Sequence, residues 1–161
     1  MKSKGTLVIL RRDGEVLMAR KTRGDNAGCL NFPGGHMGEE DGGDTKLCAA
    51  RECLAEVGYR VLPDDLVLFG KLRFYFGGVF KWEVEVFVAN CFFEAIEEID
   101  ADEDMADPVW LSSAEIPYDK MWPGDREWLP RVLLGEKADA DIYYSADHSA
   151  VEKIEWQEAR F

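Results

Sequence analysis

The sequence predicts an α+β fold. Three observations predict it: period-two stretches bounded by glycine turns, two helical stretches, and a length of 161 residues that suits one domain spanning residues 1–161. Residues 6–10 read as a strand, and Asp13-Gly14 is a turn signal leading into a second strand over residues 15–20. Residues 22–44 are rich in Gly, Asn, Asp and Pro and read as a long loop, a type that is usually functional in a well-patterned domain. Asp44 caps a helix over residues 44–57, in which Leu47, Ala50, Leu54 and Val57 recur at helical spacing; Gly58 stops it. Residues 67–76 and 79–93 are strands around a Gly77-Gly78 turn. In the second, Phe80, Trp82, Val84, Val86 and Val88 share one face, with Lys81, Glu83 and Glu85 on the other. An acidic loop follows over residues 97–107, then a short strand over 109–111. A helix over 126–134 starts after Pro123-Gly124-Asp125, and the last expected element is a strand near 142–145.

Lys+Arg 19 against Asp+Glu 32 gives a net charge of −13. That charge disfavours partners that need an electropositive groove, such as a nucleic acid polymer or an anionic membrane. Small anions stay open, because a bound divalent cation reverses the local sign. Most of the acid is expected to be solvated surface. Cys29, Cys48, Cys53 and Cys91 contain no C-x-x-C pair and read as reduced and mostly buried, which suits a cytoplasmic protein. The apolar run at residues 7–10 is too short for a signal-peptide core, and no stretch approaches the roughly 20 apolar residues of a membrane span. No P-loop and no G-x-S-x-G elbow is present.

Glu52 and Glu56 lie four apart on the first helix, so their carboxylates share a face and repel by a few tenths of a kcal/mol. A hard divalent cation removes that repulsion, since Mg²⁺ takes one or two carboxylates and fills its shell with waters and phosphate oxygens. Surface helices often carry such pairs, so the spacing alone is a weak signal. The two histidines form no metal site. His36 sits in the glycine-rich loop, where it is either solvated or near a phosphate, and His148 carries no signal.

The surroundings of the pair are more specific. Gly34-Gly35, an acidic loop, and then Arg51-Glu52-x-x-x-Glu56-x-Gly58 resemble the Nudix box. Asn31-Phe32-Pro33 precedes it, as in many members of that family. The run over residues 121–130, containing Trp122-Pro123-Gly124-Asp125, looks like that of the family's oxidised-purine nucleoside triphosphatases (8-oxo-dGTP diphosphatases). Together these features cover most of residues 5–135. The resemblance implies a Nudix α/β/α sandwich with a mixed central sheet. It implies Mg²⁺, with Mn²⁺ as a substitute, held by Gly35 through its carbonyl and by Glu52, Glu56 and Asp104. Glu52, Glu56 and Arg51 become the catalytic group, Arg51 tying loop to helix. Asn31, Trp122, Asp125, Lys21, Phe74 and Trp82 become the nucleotide-binding residues. Trp122 stacks on the base, and Asn31 and Asp125 read its edge. The implied partner is a nucleotide, bound by a monomer or small homo-oligomer. Without the resemblance, Trp122, Phe74 and Trp82 read as core or lid aromatics, and Lys21 as a surface lysine.

The departures from the pattern are specific. Asp41 falls where the family has Glu, but nine residues rather than seven separate it from Arg51. Asp41 and Asp44 therefore compete for the role of that acid. Ala55 replaces the first acid of the family's Glu-Glu pair, so the helix offers two carboxylates. Glu39, Glu40, Asp41, Asp44, Glu103 and Asp104 are the available replacements. Gly124 stands where the subfamily has the first of two adjacent Asp residues, and Trp82 is bulkier than the usual residue. A weakly active or non-catalytic nucleotide-binding domain is the alternative to an enzyme, and an acidic protein-interaction domain is the third class.

Overall fold

The computed structural model describes residues 3–24, 26–90, 94–95 and 104–161. Cys91, Glu103, the last residues of the expected 79–93 strand and most of the expected 97–107 loop lie outside them.

The expected hairpin forms from β1 (Ser3–Arg12) and β2 (Glu15–Lys21), with Arg11 opposite Val16. Its turn places Asp13 at φ 47° and Gly14 at φ 76°, the paired positive values that match the strands' twist. The stretch expected to be one long loop instead carries β3 (Leu30–Asn31), β4 (Gly34–His36) and a 3₁₀ turn at Glu39–Asp41. Then come α1 (Thr45–Val57), β5 (Tyr59–Arg60), β6 (Val67–Phe76), β7 (Val79–Ala89) and β8 (Glu94–Ala95). The chain continues through β9 (Met105–Ser112), α2 (Asp125–Leu133), β10 (Ala138–Tyr144) and β11 (Val151–Gln157). β9 is longer than the expected 109–111 strand, and β11 extends the sheet beyond the last strand expected.

The main sheet runs β11-β10-β6-β7-β1-β2-β3, with β4 also on β1 and β9 on β2. It is mixed: β1 runs parallel to β7 and β10 parallel to β6, while the other pairs are antiparallel. Alternate β1 residues serve opposite faces. Val8 and Leu10 join Ala49, Cys53 and Val57 of α1, whereas Ile9 joins Trp128, Leu129 and Val132 of α2. A helix on each face of a mixed sheet is the α/β/α sandwich the resemblance implies. Among the described residues no helix is long and apolar enough to cross a membrane.

One correction concerns α1. Leu47 is 44% exposed, and the buried stripe is Cys48, Ala49, Cys53, Glu56 and Val57. The helix lies close to the sheet, and close approach selects small side chains over Leu. Glu56 belongs to this buried face.

Candidate active site

α1 starts where the Asp44 side chain accepts the Lys46 and Leu47 amides at 2.9 and 3.4 Å, and ends at Gly58 with φ 76°. Between these caps the helix aims two carboxylates at β4. Glu56 is 7% exposed, and its Oε1 accepts the Gly34 N–H at 2.7 Å. Glu52 lies beside Gly35, where an added Cβ would sit 2.6 Å from its carboxyl carbon. Gly34 pairs with Leu7 and Gly35 with Thr6, so β4 is laid directly on β1. A Cβ on Gly34 would stand 1.9 Å from the Thr6 carbonyl oxygen, so only glycine allows this contact. Thr6 Oγ1 and Cys48 Sγ approach the Gly35 carbonyl at 3.5 and 3.7 Å, long contacts that leave it acceptor capacity. Burial pushes the Cys48 thiol up to about 11, so it stays protonated at neutral pH.

Arg51 decides between the competing acids. Its Nε and Nη2 donate to the two oxygens of Asp41, both at 2.9 Å, and its Nη1 donates to Glu52 at 2.8 Å. Asp41 is 2% exposed and also accepts the Gly38 N–H at 2.8 Å. The Arg51 hydrogen bonds hold its carboxyl down at about 2. Asp41 thus anchors the glycine-rich loop to α1, and Asp44 caps the helix. Glu40 reaches Arg51 at 3.4 Å as an outer partner.

A cleft of about 570 Å³ opens along this edge. Gly34, Gly35 and Glu56 line one part of it; Phe74, Phe76, Trp82 and Trp122 line another. Lys21, Asn31, Asp104 and Asp125 also line it. Arg51 and Glu52 lie beside the cleft, linked to it through Glu52's contact with Gly35. The Asn31 Oδ1 accepts the Phe32 N–H at 2.8 Å, which orients its amide. Asp104 forms an ion pair with Arg23. Among the described residues, no three His, Cys, Asp or Glu side chains gather closely enough to hold a metal ion. A cation here would draw on Glu52, Glu56 and the Gly35 carbonyl, an all-oxygen set that suits a hard divalent ion.

The sequence does not single out Phe76, Arg23 or Thr6 as part of the site. Phe76 follows Phe74 by two on a strand, so its period-two position carried a signal. Arg23 and Thr6 had none, because their contacts depend on how distant strands meet.

Asp125 is 6% exposed and accepts the Trp128 indole N–H at 3.0 Å. Burial pushes its carboxyl up to about 7, while that hydrogen bond pulls the other way. A raised carboxyl favours the folded state fully only below its unfolded value near 4, and that advantage is lost as pH rises through 7. Asp125→Asn mimics the protonated form and does not titrate. Its stability relative to the native chain is expected to grow by about 2–4 kcal/mol between pH 4 and pH 8. Denaturant midpoints at the two pH values measure this, and a pH-independent difference refutes it.

A family model described as the NUDIX domain matches residues 1–132. The oxidized purine nucleoside triphosphate hydrolase of Danio rerio is 34% identical over 129 residues, covering 80% of this chain and 78% of that protein. The Mus musculus protein of the same name is 32% identical over 137 residues, covering 82% and 80%. Among solved structures, the mutator MutT protein from Bacillus halodurans superimposes with a TM-score of 0.79 at 21% identity, over 96% of this chain and 97% of that one. At that identity the superposition speaks for the fold alone.

Proposed function

The chain belongs to the Nudix family of hydrolases, and from that premise we propose that it hydrolyses a purine or oxidised purine deoxynucleoside triphosphate to the monophosphate and pyrophosphate, using Mg²⁺ or, in its place, Mn²⁺. The observation that carries the proposal is the placement of Glu52 and Glu56 against the Gly34-Gly35 backbone, beside a cleft walled by Trp122, Phe74 and Trp82.

The bound metal supplies charge neutralisation on the phosphates and lowers the pKa of water. The protein's own groups do the rest. Glu52, Glu56 and the Gly35 carbonyl would hold the cation, with Asp104 as a further donor if it leaves Arg23. Arg51 keeps Glu52 and the loop in register. One carboxylate, of Glu52, Glu56 or the loop, takes the proton of the attacking water. Trp122 offers an aromatic face to the base, and Asn31 and Asp125 meet its polar edge. Lys21 contributes a cation to the cleft wall. Positioning and charge neutralisation supply most of the rate gain, as in phosphoryl transfer generally. The free thiols of Cys29, Cys48 and Cys53 accord with a cytoplasmic setting.

With Glu52 and Glu56 facing the phosphates, the cleft is expected to hold a triphosphate only with the metal present. Incubating the protein with dGTP, 8-oxo-dGTP and dATP, in Mg²⁺ and in EDTA, tests this by release of pyrophosphate and monophosphate. Turnover in Mg²⁺ that stops in EDTA supports the proposal; intact nucleotides throughout refute it. Ala55, in place of an acid, favours a second reading, a nucleotide-binding domain with weakened chemistry. That reading predicts thermal stabilisation by nucleotide with the nucleotide recovered intact.

A further inference from the structure

We propose that Tyr144, on a strand beyond the stretch matched by the family model, is a positioning residue for the base-binding end of the cleft. The inference rests on the nucleotide reading above.

Tyr144 is the last residue of β10 and is 1% exposed. Its hydroxyl accepts the Gly124 N–H at 2.9 Å. A Cβ on residue 124 would lie 2.5 Å from that oxygen, 3.2 Å from the ring carbon bearing it and 3.3 Å from Ile142 Cγ2. The phenol therefore fills the volume a side chain at 124 would need, and it satisfies the amide there. Gly124 lies between Trp122 and Asp125, both of which line the cleft. Fixing its backbone fixes the direction in which each of them projects.

The Tyr144 ring supports the same segment. It meets Trp122 edge-on at 5.4 Å and stacks on Phe76 at 5.3 Å. The turn after β10 adds His148, whose ring lies 4.1 Å from Phe76 and 6.2 Å from Trp122, inclined to the latter by 30°. The other side of this turn meets the β6–β7 turn, where a Cβ on Gly77 would be 3.1 Å from the Ala146 methyl carbon. The end of β10 and the turn that follows it thus back the aromatic wall. Position 124 has no room for a second acid beside Asp125, so the base edge meets a single carboxyl group.

The test is steady-state kinetics with 8-oxo-dGTP and dGTP on the native chain, Tyr144→Phe, Gly124→Ala and the double variant. Tyr144→Phe keeps the ring and loses the hydroxyl. It is expected to raise KM about 5- to 20-fold, the scale of one buried hydrogen bond, while kcat stays within about twofold. Gly124→Ala is expected to raise KM at least as much. In the double variant the oxygen that clashes is gone, so the effects should combine to less than their product. A merely structural Tyr144 would lower the unfolding temperature and leave KM at 25 °C alone. Should Tyr144→Phe fail to fold, Gly124→Ala gives the same reading with Tyr144 intact. A native chain that hydrolyses neither nucleotide counts against the hydrolase reading and ends this proposal with it. A native chain that does, with KM unchanged in the variants, overturns the Tyr144 assignment alone.

Discussion

Replacing Glu56 by Gln is expected to cut kcat about 10²- to 10³-fold, the scale of removing one preorganised electrostatic group. The fold should survive. Gln has the same shape and can still present an oxygen to the Gly34 N–H, which Glu56 accepts at 2.7 Å. What disappears is the negative charge on the buried side of α1, where the phosphates and their cation are to be gathered. Base-stacking groups such as Trp122 are untouched, so KM should move far less than kcat. The check is kinetics in Mg²⁺ paired with a melting curve. An unchanged kcat would remove Glu56 from the mechanism, and a collapsed melt would mean that its role is architectural.

Arg51→Ala should produce the largest loss of stability, about 2–4 kcal/mol, or roughly 5–15 °C in Tm for a domain of this size. The substitution strands Asp41, which is 2% exposed and takes two of the arginine's hydrogen bonds. Partial exposure of Arg51 keeps the figure below that of a fully buried pair. The pH dependence has a definite sign. Arg51 holds the Asp41 carboxyl at about 2, below its unfolded value of 3.8, so the stabilisation is complete above about pH 4. It fades as pH falls from 4 towards 2, and the native and Arg51→Ala chains should converge there. Asp44→Ala supplies the contrast. Losing a helix cap costs about 1 kcal/mol, a smaller loss. Denaturant titrations of the native and Arg51→Ala chains at pH 7 and pH 3 check the sign. Equal losses at both pH values for Arg51→Ala would dismiss Asp41 as its anchor.

Much of the fold was readable because turns and caps are local chemistry. Asp13-Gly14, Gly77-Gly78, Asp44 and Gly58 mark ends that need only short-range hydrogen bonds and positive φ. What escaped depended on distant partners. β4 is Gly-Gly-His, with no apolar alternation, and is a strand only because β1 supplies its pairing. β11 is an edge strand whose residues are mostly exposed, so its alternation is faint. The sequence pattern shows only part of β9, because Asp107, at φ 54°, and Pro108 interrupt it where the register with β2 slips. The sequence pattern of α1 points to Leu47 rather than to the true stripe, because the small buried residues Ala49 and Cys53 give a weaker apolar signal.

The site followed a similar division. Glu52 and Glu56 were visible as a spacing, but their purpose came from the resemblance to a known box. The choice between Asp41 and Asp44 was undecidable from counting. It turns on the 3₁₀ turn at Glu39–Asp41, which folds Asp41 back towards Arg51. Tyr144 had no signal at all, since its partner Gly124 lies 20 residues away and is silent by having no side chain.

The pairing of β4 with β1 bears on how this chain tolerates change. Gly34, Gly35 and His36 are held by main-chain hydrogen bonds opposite Leu7, Thr6 and Gly5. On the far side, Asp41 and Asp44 fasten the return to α1. Gly42 and Gly43, between the two aspartates, are exposed, so extra residues there would extend outward as a surface turn and leave the two carboxylates of α1 at their distance from the glycines. The loop's length is thereby uncoupled from the geometry of the chemistry. An ancestral insertion here would have been nearly silent, whereas a single methyl group added at Gly34 would not.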